Sequence, residues 1–211
     1  MDLDPDRKLA LAYVPGAARP AIEALWRLDV AFAAILATGT QPLISQMRLA
    51  WWREALVRLD QAPPPAEPVL QALAAHVLPL VSGAELAAME EGWLMLTSED
   101  ALTEDELARY AHLRGGLLFA YTARLLGDSH FPVDGAGEAW ALADLARHSR
   151  RVGESKAPPP AEKVKWPRPL RPLGMLAMLA RRDLERLGTK AEKPGSPARI
   201  LRMIRHRIGG Y

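Results

Sequence analysis

The sequence predicts an all-α protein, folded as one multi-helix bundle. Apolar residues recur at spacings of three and four along most of the chain, whereas no segment shows the strict alternation that is typical of a β-strand. Proline and glycine interrupt this pattern where the predicted helices begin and end. A chain of 211 residues can bury a core of its own, so positions 1–211 are predicted to form a single domain.

The limits of the first helices follow from their proline and glycine residues. Pro15 lies in a turn that ends the first helix, and Pro20 and Pro42 each suit the first turn of the helix that they open. Residues 62–68 contain four prolines and cannot be helical, because proline removes a backbone donor and clashes with the preceding turn. A linker is therefore expected between the third and fourth helices.

The later elements are marked in a similar way. Thr103 and Glu106 have the spacing of a capping box at the start of a long helix, and the six prolines of residues 154–172 predict an irregular loop. The predicted helices cover about residues 3–13, 20–38, 42–60, 69–80, 83–97, 104–126, 135–152, 173–187 and 197–208.

Composition excludes several classes of function. The chain has no cysteine, which rules out disulfides, thiolate zinc sites and a cysteine nucleophile. No stretch of 18 apolar residues is present, so no transmembrane helix is predicted. The N-terminus is acidic where a secretory signal would be basic, and we expect a cytoplasmic protein, peripheral at most to the inner face of the membrane.

The charge is strongly asymmetric along the chain. Residues 1–146 carry 10 Lys/Arg and 20 Asp/Glu, a net charge of −10, whereas residues 147–211 carry 17 and 5, a net charge of +12. Either the basic segment binds an anionic partner such as a membrane surface, or it packs across the acidic helices. No nucleic-acid recognition motif is present, so no nucleic-acid partner is expected.

The last predicted helix is amphipathic and basic, and it leaves the same two alternatives open. Ile200, Leu201, Ile204 and Ile208 share one face, and arginines occupy much of the remaining surface. Such a helix suits a membrane surface, but a bundle helix that buries its apolar face has the same sequence pattern.

Asp29 is the most unusual polar residue of the predicted core. It lies on the second helix among apolar residues at spacings of three and four, including Leu25, Trp26 and Phe32. A carboxylate buried there needs a cation or a hydrogen-bonding partner. The alternatives are a functional site in a cavity and a structural ion pair with an arginine of a neighbouring helix.

Residues 48–56 resemble the Arg-Leu-x-Trp-Trp-Arg-Glu/Asp signature of squalene/phytoene synthase-like proteins. The resemblance extends to residues 24–29, where the first aspartate motif of the family lies, to residues 110–116, and to residues 137–147 before the second motif. It implies an isoprenoid-synthase-like bundle. The signature also resembles that of a non-catalytic branch, which includes the mitochondrial complex I assembly factor of this fold.

The resemblance fails at the metal ligands. Active members of the family are expected to hold Mg²⁺ between two Asp-x-x-x-Asp motifs, whose carboxylates share a helix face. Here Ala33 follows Asp29 at the second position of the first motif, and His148 and Val152 occupy the aspartate positions of the second. We therefore predict no metal, no cofactor and no catalytic residue, and we expect Asp29 to pair with an arginine such as Arg53 or Arg147.

These observations lead to a functional hypothesis and one alternative. The chain is predicted to be a non-catalytic isoprenoid- or lipid-binding protein, or an assembly protein, at the membrane surface. Its expected partners are a prenyl lipid or prenyl diphosphate, and an anionic membrane surface or a subunit of a membrane complex. The alternative is an active, Mg²⁺-dependent prenyltransferase that joins two prenyl diphosphates head to head. Besides Asp29, the candidate cavity or ligand-binding residues are Arg48, Trp52, Arg53, Tyr110, Arg114, Arg147 and His148.

Overall fold

The computed structural model describes residues 2–39, 41–98, 100–148, 164–187 and 192–211. These residues contain helices and no strand, which confirms the predicted all-α class. The α-helices are α1 (Pro5–Ala12), α2 (Arg19–Thr38), α3 (Pro42–Arg58), α4 (Pro68–His76), α5 (Gly83–Met95), α6 (Glu104–Ala111), α7 (Leu117–Leu125), α8 (Asp134–His148), α9 (Arg171–Glu185) and α10 (Pro197–Gly209). None of these helices combines the length and apolar character that a membrane span requires.

Two predicted boundaries need correction. Helix α4 ends at His76 and not near Leu80, because Pro79 disfavours helical backbone at the residue before it. Helix α9 begins at Arg171, inside the predicted proline-rich loop, and a 3-10 turn over Arg168–Leu170 leads into it. The predicted extension of α8 to Val152 lies outside the described residues.

Helix α2 is the central element of the core. Its buried residues include Ile22, Leu25, Leu28 and Phe32, all inaccessible to solvent, and the core extends from them into the surrounding helices. Trp26 is buried with its indole Nε1 donating a hydrogen bond of 3.0 Å to the hydroxyl of Thr122 on α7. The polar edge of this aromatic side chain is therefore satisfied inside the core.

A π-helical turn, His112–Gly116, joins α6 to α7 within one continuous helix. Gly115 of this turn packs backbone to backbone against Gly137 of α8, and a Cβ on either glycine would overlap the carbonyl oxygen of the other. This close approach brings α8 against the turn. It places Arg114 within reach of Asp144, about two turns beyond the contact on α8.

We expect Gly137→Ala to destabilise the protein by about 2 kcal/mol, because the added methyl group would force α8 away from the π-helical turn. Gly135→Ala is the matched control: this glycine also lies on α8, but a Cβ there would contact nothing, so the change should be neutral or slightly stabilising. Urea unfolding of both variants measures the difference. Equal free energies of unfolding would show that the contact between the glycines does not constrain the fold.

Candidate functional site

A cavity of about 810 Å³ lies beside α2 and reaches α1, α3, α8 and α9. Its α2 wall is aliphatic and includes the small side chains of Ala33 and Ala34, and Leu176 and Leu179 of α9 face it. A volume of this size is within the usual range for binding small molecules, roughly 300–1,000 Å³. The absence of bulk at positions 33 and 34 contributes to the open space along α2.

Asp29 lies behind the cavity wall, next to the lining residues Arg7 and Arg114, and both of its carboxylate oxygens are bound by these arginines. Arg114 Nε donates to Oδ1 at 3.0 Å, and Arg114 Nη2 donates to Oδ2 at 3.3 Å. Arg7 Nη1 donates to Oδ2 at 2.8 Å. Asp29 is inaccessible to solvent, and only 1% of Arg114 and 7% of Arg7 is exposed, so this is a buried salt bridge that connects α1, α2 and the π-helical turn.

The salt bridge extends to three further residues. Arg114 Nη2 donates to Asp144 Oδ2 at 2.7 Å, Arg114 Nη1 donates to the Tyr110 hydroxyl at 2.6 Å, and Arg7 Nε donates to Asp4 Oδ2 at 2.6 Å. We call these six residues the Asp29 network. Since every member has a charged or hydroxyl partner, the cost of burying the charges is offset within the network itself.

Aromatic rings cover the two arginines. The Arg114 guanidinium lies 4.1 Å from the ring centroid of Trp93 and 5.0 Å from that of Trp140. The Arg7 guanidinium lies 5.1 Å from the Trp140 centroid. Cations above ring faces at these distances are stabilised by the ring quadrupole, and the rings also exclude water from the salt bridge.

Burial and neighbouring charges shift the pKa values of Asp144, Arg114 and Tyr110. Burial would raise the pKa of Asp144, but the charges of Arg114 and Arg7 outweigh it and lower the pKa to about 2. Burial lowers the pKa of Arg114, yet the Asp29 carboxylate holds that pKa well above its ordinary value. Burial raises the pKa of the Tyr110 hydroxyl to about 12, so this group stays protonated. Arg114 and Asp144 are therefore charged at neutral pH, and Tyr110 is a neutral hydroxyl.

A second ionic cluster adjoins the same cavity and connects α1, α9 and α10. Arg199 Nε donates to Asp6 Oδ2 at 2.9 Å, and Arg199 Nη1 donates to Asp183 at 2.7 Å. Arg147 reaches this cluster only loosely, since its guanidinium lies 3.7 Å from Asp183 and 4.0 Å from Asp144. Its Nε is buried without a hydrogen-bond partner among the described residues. Arg147 therefore keeps donor capacity beside the cavity.

The structure brings together only some of the candidate residues. Tyr110, Arg114, Arg147 and His148 line the cavity, and Asp29 lies directly behind its wall. His148 is largely exposed and its Nδ1 contacts the Asp144 carbonyl oxygen at 2.9 Å. The remaining three candidates, Arg48, Trp52 and Arg53, do not line this cavity.

The prediction that these three residues line the cavity is wrong, and the orientation of α3 explains why. The helix turns Pro42 and Ser45 toward the cavity, whereas Arg48 and Arg53 lie on its exposed side. Trp52 is buried against Phe32, with ring centroids 5.9 Å apart. In this segment the Trp-Trp-Arg signature contributes to core packing and to the surface, and not to the cavity wall.

The predicted ion pair of Asp29 is present, but the predicted partners are wrong. Arg7 and Arg114 bind the carboxylate in place of Arg53 or Arg147. Arg7 was not among the candidates, although it carries the same signal that identified Asp29: it shares a helix face with Leu3, Ala10 and Leu11. A second buried charge on an apolar face could therefore have indicated the partner.

The donor set does not suit Mg²⁺, which prefers several carboxylate and phosphate oxygens in octahedral geometry. Both oxygens of Asp29 are occupied by arginines, position 33 offers a methyl group, and the nearest acid on α8, Asp144, is bound to Arg114. Among the described residues, no group of three or more His, Asp and Glu side chains could hold a metal ion.

A helical bundle with a large cavity beside a central aspartate has the architecture of an isoprenoid-synthase-like protein. The family model for squalene/phytoene synthase matches residues 2–156, and the chain belongs to this family. The match includes the Asp29 network and ends before α9 and α10. No curated protein and no solved structure matches the chain.

Removing Arg114 should destabilise the protein strongly. We expect Arg114→Met to cost about 3 kcal/mol or more, because Asp29 stays buried with two of its hydrogen bonds lost and Asp144 loses its closest cation. Arg27→Met is the control, since it breaks an exposed pair with Glu23 and should cost less than about 1 kcal/mol. Urea unfolding at neutral pH compares them, and similar losses would contradict a structural role for the network.

Acid should weaken the network through Asp144. Its pKa is lowered from 3.8 to about 2 by folding, so its contribution to stability is complete above pH 3.8 and is lost as the pH falls toward 2. Between pH 5 and pH 3 this loss is about 1 kcal/mol, and Asp144→Asn should abolish it.

Free energies of unfolding of both proteins, measured across that range, test this expectation. Asp105→Asn removes an exposed carboxylate and controls for the change in net charge. The same pH dependence in wild type and Asp144→Asn would show that Asp144 does not carry the effect.

Proposed function

We propose that this member of the squalene/phytoene synthase family is a non-catalytic isoprenoid-binding protein that works at a membrane surface. The observation that carries this proposal is the state of Asp29: behind the wall of a cavity whose α2 side is aliphatic, its two oxygens are bound by Arg7 and Arg114. A carboxylate held in this way cannot also coordinate the metal that a diphosphate leaving group requires. The apolar volume for an isoprenoid chain is nevertheless retained.

The charge of the cavity lining favours an uncharged headgroup. The charged lining residues, histidine aside, are Asp2, Asp4, Asp6 and Asp144 and Arg7, Arg114, Arg147 and Arg199. Asp29 and Asp183 bind these same arginines and add two carboxylates, so acids outnumber arginines. A diphosphate would add further negative charge to a partly desolvated site without a surplus of cations, which is unfavourable.

Arg147 supplies the polar contact that such a headgroup needs. Its ion-pair distances of 3.7 and 4.0 Å are long, and its buried Nε has no hydrogen-bond partner among the described residues. A hydroxyl or carbonyl oxygen of the ligand would satisfy this donor, because burying an unpaired polar group costs free energy. We therefore assign the cavity to an isoprenoid alcohol or a quinone-type lipid, with the oxygen toward Arg147 and the chain along α2 and α9.

A role in assembly is compatible with this assignment. A protein that presents a membrane-derived isoprenoid or senses its presence could act on a subunit of a membrane complex without transforming the lipid. Under this proposal the fixed Asp29 network is structural, and the occupied cavity is the functional state.

Filling the cavity should weaken binding of geranylgeraniol. We expect wild-type protein to bind this alcohol with micromolar affinity, followed by fluorescence of Trp93 and Trp140 at the cavity. Ala33→Phe should weaken binding at least tenfold, because the ring would occupy space along α2. Ala75→Phe makes the same change on an exposed position of α4, away from the cavity, and should bind normally.

The enzymatic alternative is tested with the same proteins. Wild type incubated with geranylgeranyl or farnesyl diphosphate and Mg²⁺ should release no pyrophosphate. Turnover would contradict the non-catalytic proposal. Absence of geranylgeraniol binding, or equal binding by Ala33→Phe and wild type, would contradict the assignment of the cavity.

A further inference from the structure

Helix α10 packs against the bundle with its polar side inward. The residues that it buries are Arg199, Met203 and His206, with exposed fractions of 1%, 0% and 2%. Arg199 anchors the helix through Asp6 and Asp183. His206 lies against Gly174 of α9, where an added Cβ would overlap its ring. Two of the three buried side chains are thus ionisable.

The apolar face of the same helix points to solvent. Leu201 is 59% exposed and Ile208 is 75% exposed, and Ile200 and Ile204 lie on the same face at 37% and intermediate exposure. In the apolar stripe formed by Ile200, Leu201, Ile204 and Ile208, the fold therefore leaves most of Leu201 and Ile208 unburied. A helix that turns such a stripe outward is expected to bury it against something outside the chain.

Positive charge surrounds the apolar stripe. Residues 197–211 contain four arginines and no acidic residue. Arg199 is neutralised by the buried cluster and Arg202 by Glu192, but Arg205 is exposed and Arg207 is half-buried, with no carboxylate paired to either within the described residues. The segment before α9 adds to this charge, because Trp166 N donates to the Gly210 carbonyl oxygen and so brings exposed Lys165 to the end of α10.

We infer that the outer face of α10 docks on an anionic lipid bilayer. An apolar helical stripe flanked by cations is the pattern of an interfacial helix: the aliphatic side chains enter the acyl boundary and the arginines contact anionic headgroups. Cations without acids along residues 197–211 complement a uniformly anionic surface. The inference specifies the membrane contact of the proposed function and rests on that part of it, but it does not depend on which lipid fills the cavity.

Docking through this face would place the cavity near the bilayer. Arg199 and Pro194, at and just before the start of α10, both line the cavity. The helix that would contact lipid on its outer side therefore contributes to the cavity on its inner side. This arrangement offers a short path for a hydrophobic ligand from the membrane to the binding site.

A second exposed apolar surface serves as a matched control. Leu43 and Met47 on α3 are each 66% exposed, similar to the residues of the α10 stripe. Asp100 and Glu106 lie with the neighbouring Gln46 around a small surface depression, and Arg48 is exposed beside Met47, so acids and a cation both lie near this surface. Apolar exposure is comparable on the two helices, but acidic residues lie near the α3 surface, whereas residues 197–211 contain none.

Vesicle flotation of the full chain tests the inference. Wild type should bind vesicles of phosphatidylcholine mixed with phosphatidylglycerol, should bind pure phosphatidylcholine much more weakly, and should be released by salt. Leu201→Gln combined with Ile208→Gln should weaken binding at least tenfold, and Arg205→Gln severalfold. Leu43→Gln combined with Met47→Gln should bind like wild type. All of these positions are exposed, so unchanged urea unfolding is expected and verifies that the variants are folded.

The outcomes separate this inference from the cavity proposal. Failure of wild type to float with anionic vesicles, or equal losses for the α10 and α3 variants, would overturn the docking surface even if geranylgeraniol still binds. Conversely, flotation without geranylgeraniol binding would support the docking surface and contradict the cavity assignment. The α10 double variant should retain geranylgeraniol binding in the absence of vesicles, and Ala33→Phe should retain flotation.

Discussion

The salt bridge between Asp29 and two arginines is the constraint on which the rest of the structure depends. A carboxylate without solvent contact in the middle of α2 is costly unless its charge is compensated close by. Arg7 comes from α1 and Arg114 from the π-helical turn, so compensation fixes both elements relative to α2. The contact of Gly115 with Gly137 then adds α8, whose Asp144 completes the compensation of Arg114. The contact between Gly115 and Gly137 thus positions the charged groups of α8 and the π-helical turn, and the ion pairs in turn hold these elements together.

Compensation by arginine differs from compensation by a metal in one respect that matters for function. A magnesium ion exchanges ligands and can coordinate the oxygens of a bound diphosphate and neutralise their charge, whereas a guanidinium is covalently tied to its helix and keeps its partner. The pKa of Arg114 is held well above its ordinary value by Asp29, so this cation is also permanent. Ala33 offers no carboxylate one turn after Asp29, and Asp29 itself is held in a closed set of arginine partners.

The sequence predicted the class of fold, most helix limits and the buried position of Asp29, because each depends on local pattern. It did not identify the partners of Asp29, since pairing between α2 and the π-helical turn depends on helix packing. Arg48, Trp52 and Arg53 were misplaced for a related reason. Helix α3 has apolar residues on both its buried and its exposed sides, such as Leu49 and Met47, so periodicity alone does not determine which side faces the cavity.

In helix α10, too, the periodicity of apolar residues does not predict which face points toward the core. The pattern identified which residues share a face, but the direction of that face is decided by Arg199, whose bonds to Asp6 and Asp183 tie α10 to α1 and α9. If burial of aliphatic surface alone determined the packing, Leu201 and Ile208 would point inward. Both side chains instead face solvent, because the carboxylates of Asp6 and Asp183 require the cation of Arg199 on the opposite face. Leaving a buried charge unpaired costs more free energy than exposing a leucine or isoleucine. Electrostatic compensation inside the bundle thus creates an apolar surface outside it, and this links the internal ion pairs to the proposed membrane contact.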